Sequence, residues 1–210
     1  MPKGLFIVFE GIDGSGKTTQ SKLLFELFSK EGKQVIWTKE PTDGDIGSLL
    51  TNKYLKEVDL PIVDALLFAA DREEHLKDMV IPALNQGKIV ISDRYYHSTL
   101  AYQQAQGLEL KWLLELNKNF IKPNLTIIID LEPEIAIERI EKDKKRKIED
   151  RKKFEKLEFL KKVRKNFLDL PKVLKDEKIV VIDGNEEKEK VFEAILNEIK
   201  NSFKSFMTKI

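Results

Sequence analysis

The chain has 210 residues, 41% of them hydrophobic and 35% charged, with a formal net charge of +1. That is enough apolar material for one substantial core, and the charge balance gives no long-range attraction to nucleic acid or to an anionic membrane. Disulfides and thiolate metal sites are excluded because there is no cysteine, and no apolar run approaches the roughly 18 residues of a membrane-crossing helix. The expectation is a single domain over 1–210 in the cytoplasm, without a secretory leader.

The first apolar run, Leu5-Phe6-Ile7-Val8-Phe9, reads as a strand. It leads into Gly-Ile-Asp-Gly-Ser-Gly-Lys-Thr over residues 11–18, a complete G-x-x-x-x-G-K-S/T phosphate-binding loop, and a helix-like segment follows from Thr19 to Lys30. Gly11, Gly14 and Gly16 allow positive φ, so that successive backbone N–H groups converge on an anion at a helix N-terminus. Lys17 is a point charge for the β- and γ-phosphates of a nucleotide, and the Thr18 hydroxyl is placed to ligate Mg²⁺. Gly32 stops this helix, and Gln34 to Thr38 reads as a second strand.

A long helix is expected from about Asp59 and Pro61 to Gln86, kinked near Pro82 and stopped by Gly87. Phe68 and Arg72 lie four residues apart on it, an aromatic surface beside a donor fork suited to a nucleobase, although core packing and a surface charge are the plainer readings of each. Lys88 to Ser92 is the third strand, followed by Ser92-Asp93-Arg94-Tyr95. An acidic residue at the carboxyl end of a strand next to the loop strand can hold the Mg²⁺ shell, and the adjacent Arg can fork onto a phosphate. In Leu-Ala-Tyr102-Gln103 the Gln can donate and accept at a base edge, and a solvated helix is an equal reading.

Leu125 to Leu131 and Lys178 to Ile182 complete five strands that alternate with amphipathic segments. Such alternation predicts an α/β fold, a five-stranded parallel sheet covered by helices on both faces, with ligands beyond the carboxyl ends of the strands. Between the last two strands the stretch from Glu141 to Lys165 is basic and poor in apolar residues, notably over Glu141 to Lys153. It reads as a solvated face, a mobile lid or a nucleic-acid-binding arm.

Taken together, Phe9-Glu10-Gly11, Glu40-Pro41, Phe68-Ala-Ala-Asp-Arg72, Asp93-Arg94-Tyr95, Ser98-Thr99-Leu-Ala-Tyr102-Gln103 and Pro133-Glu134 followed by Arg139 resemble, in that order, the thymidylate kinases. The resemblance spans almost the whole chain. It implies a P-loop three-layer fold with a lid, phosphoryl transfer from ATP to dTMP with Mg²⁺, and usually a homodimer, here through the helix around Leu66 to Val80. It implies an ATP site formed by Gly11, Ile12, Asp13, Gly14, Ser15, Gly16, Lys17, Thr18 and Thr19, with Arg139 over the adenine, and Mg²⁺ held near Thr18 and Asp93. On the acceptor side it implies Phe68 stacking on thymine, Arg72 at its carbonyl edge, Arg94 on the acceptor phosphate and Asp13 at the 3′-hydroxyl. Glu40, Pro41, Ser98, Thr99, Tyr102 and Gln103 complete that site.

Because the loop carries Gly14 and Ser15 and no Arg, the chain resembles the subgroup whose lid, about 141–153, supplies the catalytic arginines. Asp150-Arg151 resembles the lid's Asp-Arg pair, and Arg146 is a second candidate beside Lys17 and Arg94. Several positions depart from the family pattern: Lys39 and Thr42-Asp43 replace an Arg and a Gly pair, His97 stands where an acid is common, and Gln104-Ala105-Gln106-Gly107 lacks a glycine-arginine run. Two other functions remain open at this point: a kinase for another pyrimidine nucleoside or nucleoside monophosphate, and a P-loop nucleic-acid-binding ATPase. The near-neutral charge and the base-sized Phe68–Arg72 set argue against the latter.

Overall fold

Strand β1, Leu5–Glu10, is buried along its entire length, which is possible only for a strand covered on both faces. The computed structural model describes residues 4–55, 59–142 and 157–203. It places β1 at the centre of a five-stranded parallel sheet with β2 (Val35–Lys39), β3 (Ile89–Asp93), β4 (Leu125–Asp130) and β5 (Ile179–Asp183) in the order β2-β3-β1-β4-β5. The five apolar runs of the sequence are these five strands, displaced by one residue at most at the ends. The expected α/β architecture is therefore the observed one.

Period-two alternation along β1 divides the apolar side chains between two cores. Phe6 and Val8 join Val90 and Ile128 against Leu84, Leu100 and Phe167, whereas Leu5, Ile7 and Phe9 join Ile91 and Ile127 against Leu24, Phe28 and Ile195. Each such side chain stabilises the fold by about 1.5–3 kcal/mol relative to exposure.

The described helices are α1 (Lys17–Lys30), α2 (Asp45–Leu49) with a π-helical turn Leu50–Tyr54, α3 (Pro61–His75), α4 (Ile81–Asn85), α5 (Tyr96–Ala105), α6 (Leu110–Asn117), α7 (Pro133–Lys142), α8 (Leu157–Val173) and α9 (Lys188–Ser202). Glu31 and Gly32 (φ 72°) close α1 through N–H groups bonded to Leu27 O and Ser29 O. Pro61 opens α3 at a first-turn position, where its missing N–H costs nothing. The long helix expected from Pro61 onward does run to Asn85, but Leu76–Val80 between α3 and α4 is a π segment. Pro82 explains it, because the proline has no N–H for residue 78 and its ring crowds that carbonyl. The wider π register relieves the conflict.

Sheet register fixes the functional end of the molecule. Phe9 pairs with Asp93 on one side and with Ile127 on the other. The loop after β1 therefore emerges beside Asp93-Arg94, although more than eighty residues separate them in sequence. Among the described residues no helix is long and apolar enough to cross a membrane.

Candidate active site

The loop between β1 and α1 has the backbone its glycines predict. Gly11, Gly14 and Gly16 have φ of 137°, 84° and 93°. Gly14 has a second constraint, since a Cβ there would lie 2.6 Å from the carbonyl oxygen of Ala136, whereas nothing stands within 4 Å of one at Gly16. Gly16 is the left-handed N-cap of α1, and no side chain caps that helix end or places an acid in its first turn. The leading N–H groups and the positive end of the helix dipole are thus left to an anion.

A cavity of about 600 Å³ opens there, lined by Gly14, Ser15, Gly16, Lys17, Thr18, Thr19 and Gln20 on one side. Arg139 and Ile140 of α7, and Gly184, Glu186, Lys188 and Val191 around the start of α9, close the other. Arg139 is fixed over it by a 3.2 Å bond from Nη2 to the Gly184 carbonyl. Its volume is that of a small-molecule site. Lys17 is buried, with Nζ 3.3 Å from Ile12 O and 3.5 Å from Asp13 Oδ1. Gly11 and Ile12 lie deeper in the loop: Ile12 joins the core, and a Cβ at Gly11 would meet Ile129 O at 2.5 Å.

The Thr18 hydroxyl donates to Asp93 Oδ2, and Asp93 Oδ1 is buried with no hydrogen-bond partner among the described residues. A buried carboxylate oxygen left open beside a hydroxyl, at the edge of a polyphosphate cradle, is a fitting donor set for a hard divalent cation.

A second cavity, of about 200 Å³, lies on the other side of the loop. Asp13, Pro41, Phe68, Arg94, Ser98, Thr99, Tyr102 and Gln103 line it, all singled out in the sequence, together with Thr51 and Leu55. Asp13 and Gly14 are consecutive residues, one on the wall of each cavity. The two chambers thus share one loop as their partition.

Arg94 lines the second cavity and reaches the loop through Asp13. Its Nη2 is 2.5 Å from Asp13 Oδ1 and its Nη1 donates to Ser98 Oγ at 2.9 Å. The guanidinium lies 5.1 Å from the Tyr102 ring centroid. Burial opposes its charge, but Tyr102, Asp13, Glu10 and Asp93 more than offset this and hold its pKa above the ordinary arginine value. Burial, and then the Asp13 charge, push the Tyr102 phenol up. Arg94 is also the single described non-glycine residue with positive φ, 78°, a conformation that costs about 1–3 kcal/mol and gathers at functional sites.

Arg72 and Glu40 occupy different ground from the wall residues. Arg72 is 1% exposed, with Nε 2.8 Å from Glu40 Oε2, Nη1 2.8 Å from Asn117 Oδ1 and Nη2 3.2 Å from Thr99 Oγ1. Glu40 also meets His75 Nδ1 at 3.1 Å. The pair therefore supports the cavity through Thr99, whereas Phe68, on the same helix, faces into it. Arg146, Asp150 and Arg151, and the lid apart from residues 141 and 142, lie outside the described residues.

Sequence reading missed Thr51 and Leu55, which carry no motif. It also missed Gly184 and its neighbours, although their place after the carboxyl end of β5 was a usable signal. Gln103, which lines the second cavity, shows what the structure adds: its Nε2 donates to Gln106 Oε1 at 3.1 Å, and its buried Oε1 has no hydrogen-bond partner among the described residues.

Comparison with known proteins agrees with this geometry. The family model described as thymidylate kinase matches residues 9–195. A probable thymidylate kinase of Pyrococcus horikoshii is 45% identical over 85% of this chain and 88% of its own length. The thymidylate kinase of Aster yellows witches'-broom phytoplasma is 44% identical over 95% of this chain and 98% of its own. A probable thymidylate kinase of Archaeoglobus fulgidus is 41% identical over 94% and 100%. The chain belongs to the thymidylate kinase family.

Proposed function

We propose that the chain transfers the γ-phosphoryl group of ATP to the 5′-phosphate of dTMP, giving ADP and dTDP. The observation that carries this reading is the shared partition. Consecutive residues, Asp13 and Gly14, each line one of the two cavities, which supports a donor tail and an acceptor phosphate that meet end to end.

ATP takes the larger cavity, with its phosphates on the loop amides and Lys17, and its adenine beside Arg139. Thr18 and Asp93 would hold Mg²⁺, which when bound neutralises charge on the phosphate oxygens. dTMP takes the smaller cavity with its phosphate at Arg94, its sugar near Asp13 and Tyr102, and its base against Phe68. Gln103 Oε1, buried without a hydrogen-bond partner among the described residues, would accept an imide N–H, a donor that thymine has and cytosine lacks.

The acceptor phosphate is already anionic at neutral pH, so no general base is needed. Alignment and fixed positive charge from Lys17, Arg94 and a lid arginine, Arg151 or Arg146, carry the catalysis. The lid over 141–153 closes on ATP and excludes water. The chain works as one domain, as a homodimer. Exposed Leu60, Ile62, Leu66 and Met79, at 46%, 56%, 48% and 47%, lie at or near the long helix and support that association, which sedimentation reads directly.

A coupled assay with ATP and a panel of thymidine, dTMP, dUMP, UMP and dCMP tests the activity. dTMP is the best acceptor, thymidine is inert because it has no phosphate for Arg94, and dCMP is poor. Efficient use of thymidine, or ATP hydrolysis that ignores every acceptor and responds to DNA or RNA, would overturn the reading.

A further inference from the structure

We infer that Glu10 is a positioning residue for the acceptor-phosphate seat, acting through Ser98 on Arg94. Glu10 is the last residue of β1 and is 0% exposed. Its side chain reaches across to the start of α5, where Oε1 accepts the N–H of Tyr95 at 2.8 Å and of Ser98 at 3.1 Å. These are the N-cap and the third residue of that helix. One carboxylate oxygen from a distant strand thus replaces the local side-chain cap that α5 lacks. Tyr95 cannot cap the helix itself, since its hydroxyl is engaged on Ile121 O at 3.0 Å.

The second oxygen carries the functional consequence. Glu10 Oε2 accepts the Ser98 hydroxyl at 2.6 Å. A serine hydroxyl has one proton, so donating it to Glu10 leaves only lone pairs toward Arg94 Nη1, 2.9 Å away. Arginine is donor-only, and the carboxylate therefore presets the polarity that the guanidinium requires. Both backbone flanks of Arg94 are tied to β1 as well: its own N–H donates to Phe9 O at 2.9 Å and the next N–H donates to Glu10. This double anchorage holds the left-handed backbone at Arg94 and aims its side chain over the loop.

The inference rests on Arg94 holding the acceptor phosphate, and its test separates the two ideas. Steady-state KM values for dTMP and for ATP, and the melting temperature, are measured for wild type, Glu10→Gln, Ser98→Ala and the double variant. In Glu10→Gln the amide oxygen still accepts both backbone N–H groups, but the amide nitrogen donates to Ser98 Oγ, so the hydroxyl loses the acceptor that held its proton away from Arg94 and one of its two lone pairs is taken. The KM for dTMP is expected to rise at least about tenfold, as for disruption of a charge-assisted hydrogen bond, with the KM for ATP and the melting temperature close to wild type. Ser98→Ala gives a similar rise, and the double variant is no worse than the larger single effect.

An unchanged KM for dTMP in a folded Glu10→Gln protein, equal increases in both KM values, or additive effects in the double variant would overturn the inference while leaving the kinase reading intact. Should Glu10→Gln fail to fold, an unchanged KM for dTMP in Ser98→Ala overturns it alone. A wild-type protein that does not phosphorylate dTMP removes both.

Discussion

Nη2 of Arg94 lies 2.5 Å from Oδ1 of Asp13, joining the residue after β3 to the loop after β1. The same carboxylate oxygen is 3.5 Å from Nζ of Lys17, so one acid bridges the cation of the donor site and the cation of the acceptor site. Arg94→Ala removes the proposed acceptor cation and leaves Asp13 to Lys17, with the loop amides in place. A loss of about 1.5–3 kcal/mol per charged hydrogen bond corresponds to roughly ten- to a hundredfold in kcat/KM for dTMP. The KM for ATP stays within about twofold, and initial-rate kinetics with each substrate varied in turn check both.

Gly14 and Gly16 share positive φ but differ in surroundings. Gly16→Ala meets no neighbour and pays only for its backbone, about 1–2 kcal/mol. Gly14→Ala adds a collision with Ala136 O and drives the loop away from α7. Denaturant unfolding and ADP titration of the two variants are expected to show the larger loss of both stability and nucleotide affinity for Gly14→Ala.

Burial raises the pKa of Glu10 above 4.5, with His97, Arg94 and the hydrogen bonds of Ser98 and Tyr95 acting in the opposite direction. A carboxyl that holds its proton to higher pH in the folded state than in the unfolded one makes the folded state bind more protons between the two pKa values. Its contribution to stability therefore falls as pH rises from 4.5 through the folded pKa and then levels. Urea midpoints across that window are expected to decline more in wild type than in Glu10→Gln, and parallel curves would contradict the assignment.

Arg151 lies in the basic segment that contributes little apolar surface. With the loop offering no arginine of its own, Arg151→Ala is expected to lower kcat more than tenfold, an arginine finger supplying up to about 10³–10⁵ in phosphoryl transfer. The KM for dTMP changes little. A full turnover number in this variant, measured beside Arg146→Ala, would transfer the role to the other residue.

What the sequence disclosed and what it concealed follow one physical rule. The strands were legible because burial on both faces writes continuous apolar runs, and the loop from Gly11 to Thr18 because its chemistry is local. Asp93 and Arg94 were legible once the β-α alternation placed them beyond a strand. Arg72 was legible as a donor fork four residues from Phe68, but not its observed partners Glu40, Thr99 and Asn117, which lie 27 to 45 residues away in sequence. No periodicity encodes such a network. The Glu10 cap was invisible for the same reason, its donors being 85 and 88 residues distant. Pro82 announced a disturbance, but not that the π segment would come before it.

The proposed transfer requires two phosphate seats that face each other across residues 13 and 14. A crystal structure with ADP and dTMP bound together tests this most directly. It is expected to show the ADP β-phosphate on the amides leading into α1 and the dTMP phosphate at Arg94, separated by room for one phosphoryl group. A dTMP phosphate directed away from Arg94, or two phosphates too far apart for direct transfer, would contradict it.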